Sequence, residues 1–453
     1  MTFSVDPRGR GRRLAAALLF GGLVTTGSMN VVAAAEPQAT LSFDQALVAA
    51  QQRSRQLPAQ AAAAQAAREM ARAAAQRPDP TLTFGVSNLP VNGPDALSLT
   101  RDFMTMRSVG VMQEFTRSAK LGARAAKFER EADSADAAGS LALAELRRDT
   151  ALAWLERHFQ QRQRELLRSL RSEAALQVDA SDAAFRGGRS ALTDGFMARS
   201  ALALIDDRLL QSEQQIKVAT TRLARWVGAL AELPMGELPG DEAGKQPRWA
   251  VLNIDPAALE TALDTALDHH PGLALAAGAQ AVADAEVELA RRNALADWSV
   301  ALMVSQRGPA YSNMVSVNVS VPLQLDRSNR QDRELSAKLA LAGERRDERE
   351  ELRREHRAQV RVDAQAWQGL RERLAAYDAA LLPLATQRTQ ATIAAYRGGT
   401  GALSAVLDAR RNEIETRLDR LRLEGDMASR WAQLEFLLPP LQPQPLLMPR
   451  KDQ

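Results

Sequence analysis

The sequence predicts a mainly α protein with two pairs of β-strands, built as two tandem repeats of helix, strand, strand, long helix, turn and helix. Three observations carry this reading. Trp298–Ser305 and Met314–Leu323, joined by the polar connection Arg307–Asn313, each alternate along the chain with period two, the mark of extended chain with two different faces. From Ser118 to about Ala184 there is no proline, and apolar residues step by three and four. Finally, Arg186, Gly187, Gly188, Ala191, Leu192, Ala198 and Arg199 recur as Arg397, Gly398, Gly399, Ala402, Leu403, Ala409 and Arg410, at a constant offset of 211 residues.

The elements follow in order. Residues 1–35 read as a signal peptide: Arg8, Arg10, Arg12 and Arg13 precede the short apolar run Leu14–Val24, and Ala33-Ala34-Ala35 closes it. The first repeat spans 36–230. It opens with an amphipathic helix pair broken at Pro58, then a strand at about 81–88 with Leu82, Phe84 and Val86 on one face. A Pro/Gly-bearing loop leads to a second strand at about 106–115, with Val109, Val111 and Phe115 on one side. A helix over about 118–184 follows, roughly 100 Å long at 1.5 Å per residue, with a narrow seam (Leu121, Ala125, Phe128, Ala132) suited to side-by-side packing. Phe185-Arg-Gly-Gly reverses the chain, and a second helix returns from Ala191 to about Leu230.

Residues 231–257 form a Pro/Gly-rich linker, and 258–438 repeat the programme. Pro271 restates Pro58, and strands at about 298–306 and 314–323 restate the first pair. A charged helix at about 326–383 restates the long one, its run Arg345–Arg361 alternating sign like a solvated face. Residues 439–453 are a Pro-rich tail. On the second strand pair, Val300, Leu302 and Val304 share a face, as do Val315, Val317, Val319 and Val321. Ser316, Asn318 and Ser320 take the other side.

Composition narrows the function. There is no cysteine, which excludes a disulfide framework, a thiolate metal site and a lipoprotein anchor. Removing residues 1–35 takes four of the 58 basic residues and one of the 55 acidic ones, leaving a balanced chain with no basic field for nucleic acid. No run after the signal reaches the ~18–20 apolar residues of a transmembrane helix, so any membrane segment must be β. Four strands cannot close a barrel in lipid, where the smallest have about eight and open edges are not tolerated, so either several chains supply the strands or there is no membrane barrel. Long helices with Ala-rich seams also need neighbours. Both ask for an oligomer about an axis. No nucleophile elbow, phosphate-binding loop or His–carboxylate constellation marks an enzyme, and no cofactor is expected.

With the tandem repeat, the two strand pairs and the turns Phe185-Arg-Gly-Gly and Tyr396-Arg-Gly-Gly in view, the chain resembles the outer-membrane efflux proteins, the TolC-like family. That resemblance implies a homotrimer in the cell outer membrane, a twelve-stranded β-barrel continued by a periplasmic α-helical barrel. It also implies a periplasmic adaptor and an inner-membrane pump as partners. Gly110-Val-Met-Gln-Glu-Phe115 with Arg117, Lys120, Gly122 and Arg124, and Leu99 to Met106, resembles the heavy-metal cation branch; drug export is the alternative within the family. A soluble periplasmic coiled-coil scaffold is the alternative outside it.

The resemblance also assigns sites. Arg186, Gly187, Gly188, Leu192, Arg397, Gly398, Gly399 and Leu403 form the adaptor-docking tips, and Asp194, Tyr396 and Asp408 are candidate constriction or gate residues. Ala405 and Gly401 stand where relatives carry an acid and an arginine, which departs from the usual closing network. The bland alternative pairs Asp194 and Asp408 with Arg199 or Arg411. Leu82, Phe84, Val300, Leu302, Val304, Val315, Val317, Val319 and Val321 are the expected lipid-facing set, and Trp298 and Tyr311 fit an interfacial aromatic girdle. No metal site is assigned. His269-His270 precedes Pro271 at a helix end, where imidazoles suit the negative end of the helix dipole, and Met104, Met106 and Met112 are soft enough for Cu(I), but packing is the ordinary role of methionine in strands.

Overall fold

The computed structural model describes residues 40–188, 190–239 and 267–437. The signal-peptide segment 1–35, linker residues 240–257 and the tail 439–453 lie outside the described residues. Helices α1 (Phe43–Arg53) and α2 (Gln56–Ala74) lead to strands β1 (Thr81–Ser87) and β2 (Met106–Phe115), then α3 (Ser118–Arg186) and α4 (Leu192–Val227). The second repeat gives α5 (Pro271–Asn293), β3 (Trp298–Gln306), β4 (Met314–Ser320), α6 (Gln331–Ala376), α7 (Leu382–Arg397) and α8 (Leu403–Leu437).

Local chemistry explains the boundaries. Ser42 and Gln45 form a reciprocal capping box at the start of α1. The first helix pair breaks at Ser54–Arg55 and not at Pro58, which sits in the first turn of α2 where its missing N–H costs nothing. Pro271 opens α5 in the same way, with His270 as the cap. At 69 residues α3 is about 100 Å long.

Its counterpart does not stop at Pro383, where the sequence pattern placed its end. A π turn at Tyr377–Leu381 joins α6 to α7, with the Leu382 N–H donating to the Tyr377 carbonyl five residues back. Proline cannot donate to the carbonyl four residues earlier, and its ring strikes that carbonyl in a regular helix. One widened turn just before Pro383 relieves the clash and lets the rod run on to Arg397.

α3 is the spine, packed by α2, α4, α5 and α8, while α6 lies against α5 and α8. The main core sits where the two repeats meet, around the fully buried Trp154, Trp367 and Trp431 with Phe43, Leu155, Leu223 and Met427. Phe43 meets Trp154 edge-on at 5.4 Å, and the Trp154 indole N–H donates to the Leu41 carbonyl. The linker start is ordered: a 3-10 turn (Gly228–Glu232) leads to Met235, which bridges Leu41. Further along the rods a second core joins α3, α4 and α8 through Leu167, Leu170, Ile205, Ile414 and Leu418.

The four strands form one antiparallel sheet in the order β1-β2-β3-β4, so β2 and β3 stitch the two repeats together. β1 and β4 are its unpaired edges. β4 ends at Ser320, before Pro322 breaks the ladder, so Val321 falls just beyond the strand instead of within it.

Candidate functional site: a two-faced sheet above paired hairpin tips

The register fixes the faces of the sheet. Leu82 stands opposite Val111, Val111 opposite Leu302, and Leu302 opposite Val317. One row along, Phe84, Val109, Val304 and Val315 align in the same way. Since cross-strand partners share a face, these residues with Val86, Val300 and Val319 make an apolar surface, flanked on the same face by Arg107 and Gln306 at the loop end and Gln113 at the helix end. Most of it is exposed on the single chain; Phe84 is 73% exposed and Val315 is 68%. Val300 is only half-exposed, and Val321 extends the surface past the strand end. Val86, Val109 and Val111 belong to this face although the candidate set omitted them. The opposite face carries Thr83, Ser108, Gly110, Ala301, Ser305, Ser316 and Asn318.

Aromatics mark both ends of the sheet. Trp298 stacks on Phe115 at 4.5 Å where the strands meet the helices. At the far end, the Arg307 guanidinium lies over Tyr311 and donates to the Ser312 and Phe103 carbonyls, tying the two strand-connecting loops together. At the helix end, Lys120 pairs with Asp297 at 2.7 Å and the Arg117 amide donates to the same carboxylate. Burial pushes the Asp297 carboxyl up, but Lys120 and the amide outweigh it and hold it below its usual value.

The two Gly-Gly turns close the α3–α4 and α7–α8 hairpins at the other end of the molecule. The glycines are not equivalent. Gly188 and Gly399 have φ of 66° and 75°, whereas Gly187 and Gly398 sit at −83° and −77°. Only the second glycine of each pair occupies the left-handed region that a Cβ disfavours. Gly188→Ala is expected to destabilise the hairpin by about 1 kcal/mol, and Gly187→Ala by much less, read as a difference in thermal midpoint. The paired leucines also diverge: Leu192 is exposed and Leu403 is buried. Arg186 and Arg397 are exposed last-turn residues of their helices.

Among the gate candidates, Asp408 is exposed and Asp194 half-buried in the first turn of α4. Arg199 is taken by Asp182 at 2.9 Å, so it is not the partner of Asp194. Tyr396 is half-buried next to its turn, and its carbonyl accepts from the Gly399 N–H.

Burial separates the histidines. His270 is buried, its ring 4.1 Å from that of His356, and its Nδ1 accepts from the Gly272 N–H. The pair lines a cavity of about 490 Å³ between α3, α5 and α6, shared with Glu145, Arg148, Glu348 and Arg349. Burial, then the neighbouring His356, pushes the His270 imidazole down to about 4. His158, stacked on Trp154, is also pushed down to about 4 by burial and then by Arg162. A depressed folded value means that the unfolded chain binds more protons between about pH 4 and 6.5, so stability falls as pH drops through that window. His270→Asn keeps a capping acceptor and is expected to flatten that slope in unfolding measured from pH 7 to 4.5. Among the described residues, no group of three or more His, Cys, Asp or Glu forms a metal cage. None of the described helices is long and apolar enough to cross a membrane.

Residues 262–438 match the family model described as Outer membrane efflux protein. No curated protein is matched by the sequence. Among solved structures, the outer-membrane channel OprN superposes with a TM-score of 0.71 at 17% identity, over 86% of this chain and 88% of that one. CusC gives 0.72 at 16% identity over 88% and 92%. The outer membrane protein VceC from Vibrio cholerae gives 0.70 at 18% identity over 86% and 94%. The fold is thus that of the outer-membrane channels. More narrowly, the match to the Outer membrane efflux protein model falls on the second repeat.

Proposed function

We propose that the chain is the passive exit duct of a tripartite efflux system in the outer membrane, working as a homotrimer. The observation that carries this is the sheet: an apolar face exposed across four strands, with both edges unpaired. In water such a surface aggregates, and in lipid an open edge leaves backbone groups unsatisfied. Pairing β4 of one copy with β1 of the next satisfies both demands, and three copies give twelve strands. The apolar face then meets hydrocarbon and the small polar face lines an aqueous lumen. The helical rods continue the duct through the periplasm, and the Gly-Gly tips receive a periplasmic adaptor and an inner-membrane pump, which supplies the energy.

Asp408 and Asp194, repeated three times, form acidic rings that favour cations. The cargo is a heavy-metal cation, a reading supported by the segments Leu99–Met106 and Gly110–Arg124. The protein is expected to fractionate with outer membranes and to run as a detergent-stable trimer; a soluble periplasmic monomer refutes the duct. For cargo, a deletion strain is expected to lose tolerance to copper, silver, zinc, cobalt or cadmium. Loss of tolerance to organic drugs alone assigns the duct to drug export instead.

A further inference from the structure

Five of the twelve methionines fall in the short stretches 104–112 and 303–314. Four of them lie within strands: Met106, Met112, Met303 and Met314. Their parity is unexpected. Methionine is apolar, yet all four alternate with the valine and leucine positions and stand on the face otherwise made of Ser, Thr, Gly, Ala and Asn, with Glu114 at its helix end. None of the four is buried; Met112 and Met314 are exposed, Met106 and Met303 half-exposed. They are therefore not core residues of the single chain.

Their cross-strand neighbours are uniformly small. Met112 faces Thr81 and Ala301, Met303 faces Gly110 and Ser316, Met314 faces Ser305, and Met106 faces Ser87. Because Ala301 opposes Met112 and Gly110 opposes Met303, those two methionines are diagonal neighbours, two residues apart in register. Met303 and Met314 are related in the same way, since Ser316 opposes Met303 and Ser305 opposes Met314. Diagonal neighbours lie about 7–8 Å apart, within reach of long side chains. Met112, Met303 and Met314 thus climb across β2, β3 and β4 toward the loop end of the sheet, where Met106 and the loop residue Met104 also sit.

The geometry points to a thioether ladder on the inner wall of the barrel that binds soft monovalent cations, Cu(I) or Ag(I), along the way out. The inference rests on the reading of the small polar face as lumen and specifies the class of metal. Thioether sulfur is a soft ligand that prefers such ions over Zn(II) or Co(II). Neutral ligands hold a cation loosely enough to release it, which conduction requires.

The test uses the full chain purified as its detergent-stable oligomer, with Ag(I) itself as the probe. The variant Met112→Leu/Met303→Leu/Met314→Leu keeps apolar volume and removes sulfur. Equilibrium dialysis with metal analysis is expected to show Ag(I) binding that weakens about tenfold or more in the variant, with a sulfur shell in X-ray absorption that is lost with it. Equal binding by both proteins, or no binding by the parent, overturns the ladder. A second measurement separates this from failure of the duct itself. In proteoliposomes, aqueous peroxide converts water-exposed methionines to sulfoxides. Oxidation of Met112, Met303 and Met314 without Ag(I) binding leaves the lumen and removes the ladder. Their protection in lipid overturns the lumen assignment and the ladder with it.

Discussion

Val317→Arg is expected to abolish accumulation of the trimer in the outer membrane, while Asn318→Arg, one residue along, leaves it intact. Val317 is the middle residue of β4, and with Leu302, Val111 and Leu82 it makes a row across the centre of the apolar face. A basic residue on the lipid side of a barrel costs about 2–4 kcal/mol near the bilayer midplane, and the trimer carries that cost three times. Asn318 points to the opposite face, where water solvates an added guanidinium. The readout is the fraction of folded trimer in outer-membrane fractions for the two variants at matched expression. A soluble sheet responds differently: arginine at an already water-exposed Val317 changes stability by only a few tenths of a kcal/mol. Equal accumulation of the two variants therefore sinks the membrane assignment.

The sheet was legible because a period of two reports on two environments at once. Val315, Val317 and Val319 alternating with Ser316, Asn318 and Ser320 fix both faces without knowledge of the partner strand. Pairing between repeats was not legible: the register Val111 to Leu302 is a contact between distant segments, and nothing local in either strand encodes it. The glycine pairs were legible as turns, but not which member is in the left-handed region, since sequence shows identity and not φ. Pro383 misled because a proline stops a helix unless a wider turn precedes it, and the π turn at Tyr377–Leu381 leaves no distinct sequence mark. The gate candidates Asp194, Tyr396 and Asp408 came from resemblance, and a ring exists only between copies.

The buried charges of the rods were missed altogether, and they carry the second large expected effect. The alternating run Arg345–Arg361 reads as a solvated face, and nothing in the pattern marks Asp363, two residues further on, as buried. Instead Asp363 is 1% exposed; it accepts from Arg430 of α8 at 2.8 Å and from Gln359 at 2.9 Å. Val360, Ala364 and Trp367 of α6 surround it in sequence and are buried as well. Arg430→Ala strips the carboxylate of the ion pair it makes among the described residues, and an uncompensated buried charge costs about 3–5 kcal/mol. The side chain of Arg430 is 41% exposed, so water reaches the vacated site and the expected loss is nearer 2–3 kcal/mol. Arg430→Ala/Asp363→Leu removes both charges, and replacing a buried pair by apolar groups is often neutral, so the double variant is expected to recover most of the stability. Thermal midpoints of the two single variants and the double variant measure this. A double variant no more stable than Arg430→Ala means that the guanidinium stem, and not the charge, holds α8 against α6.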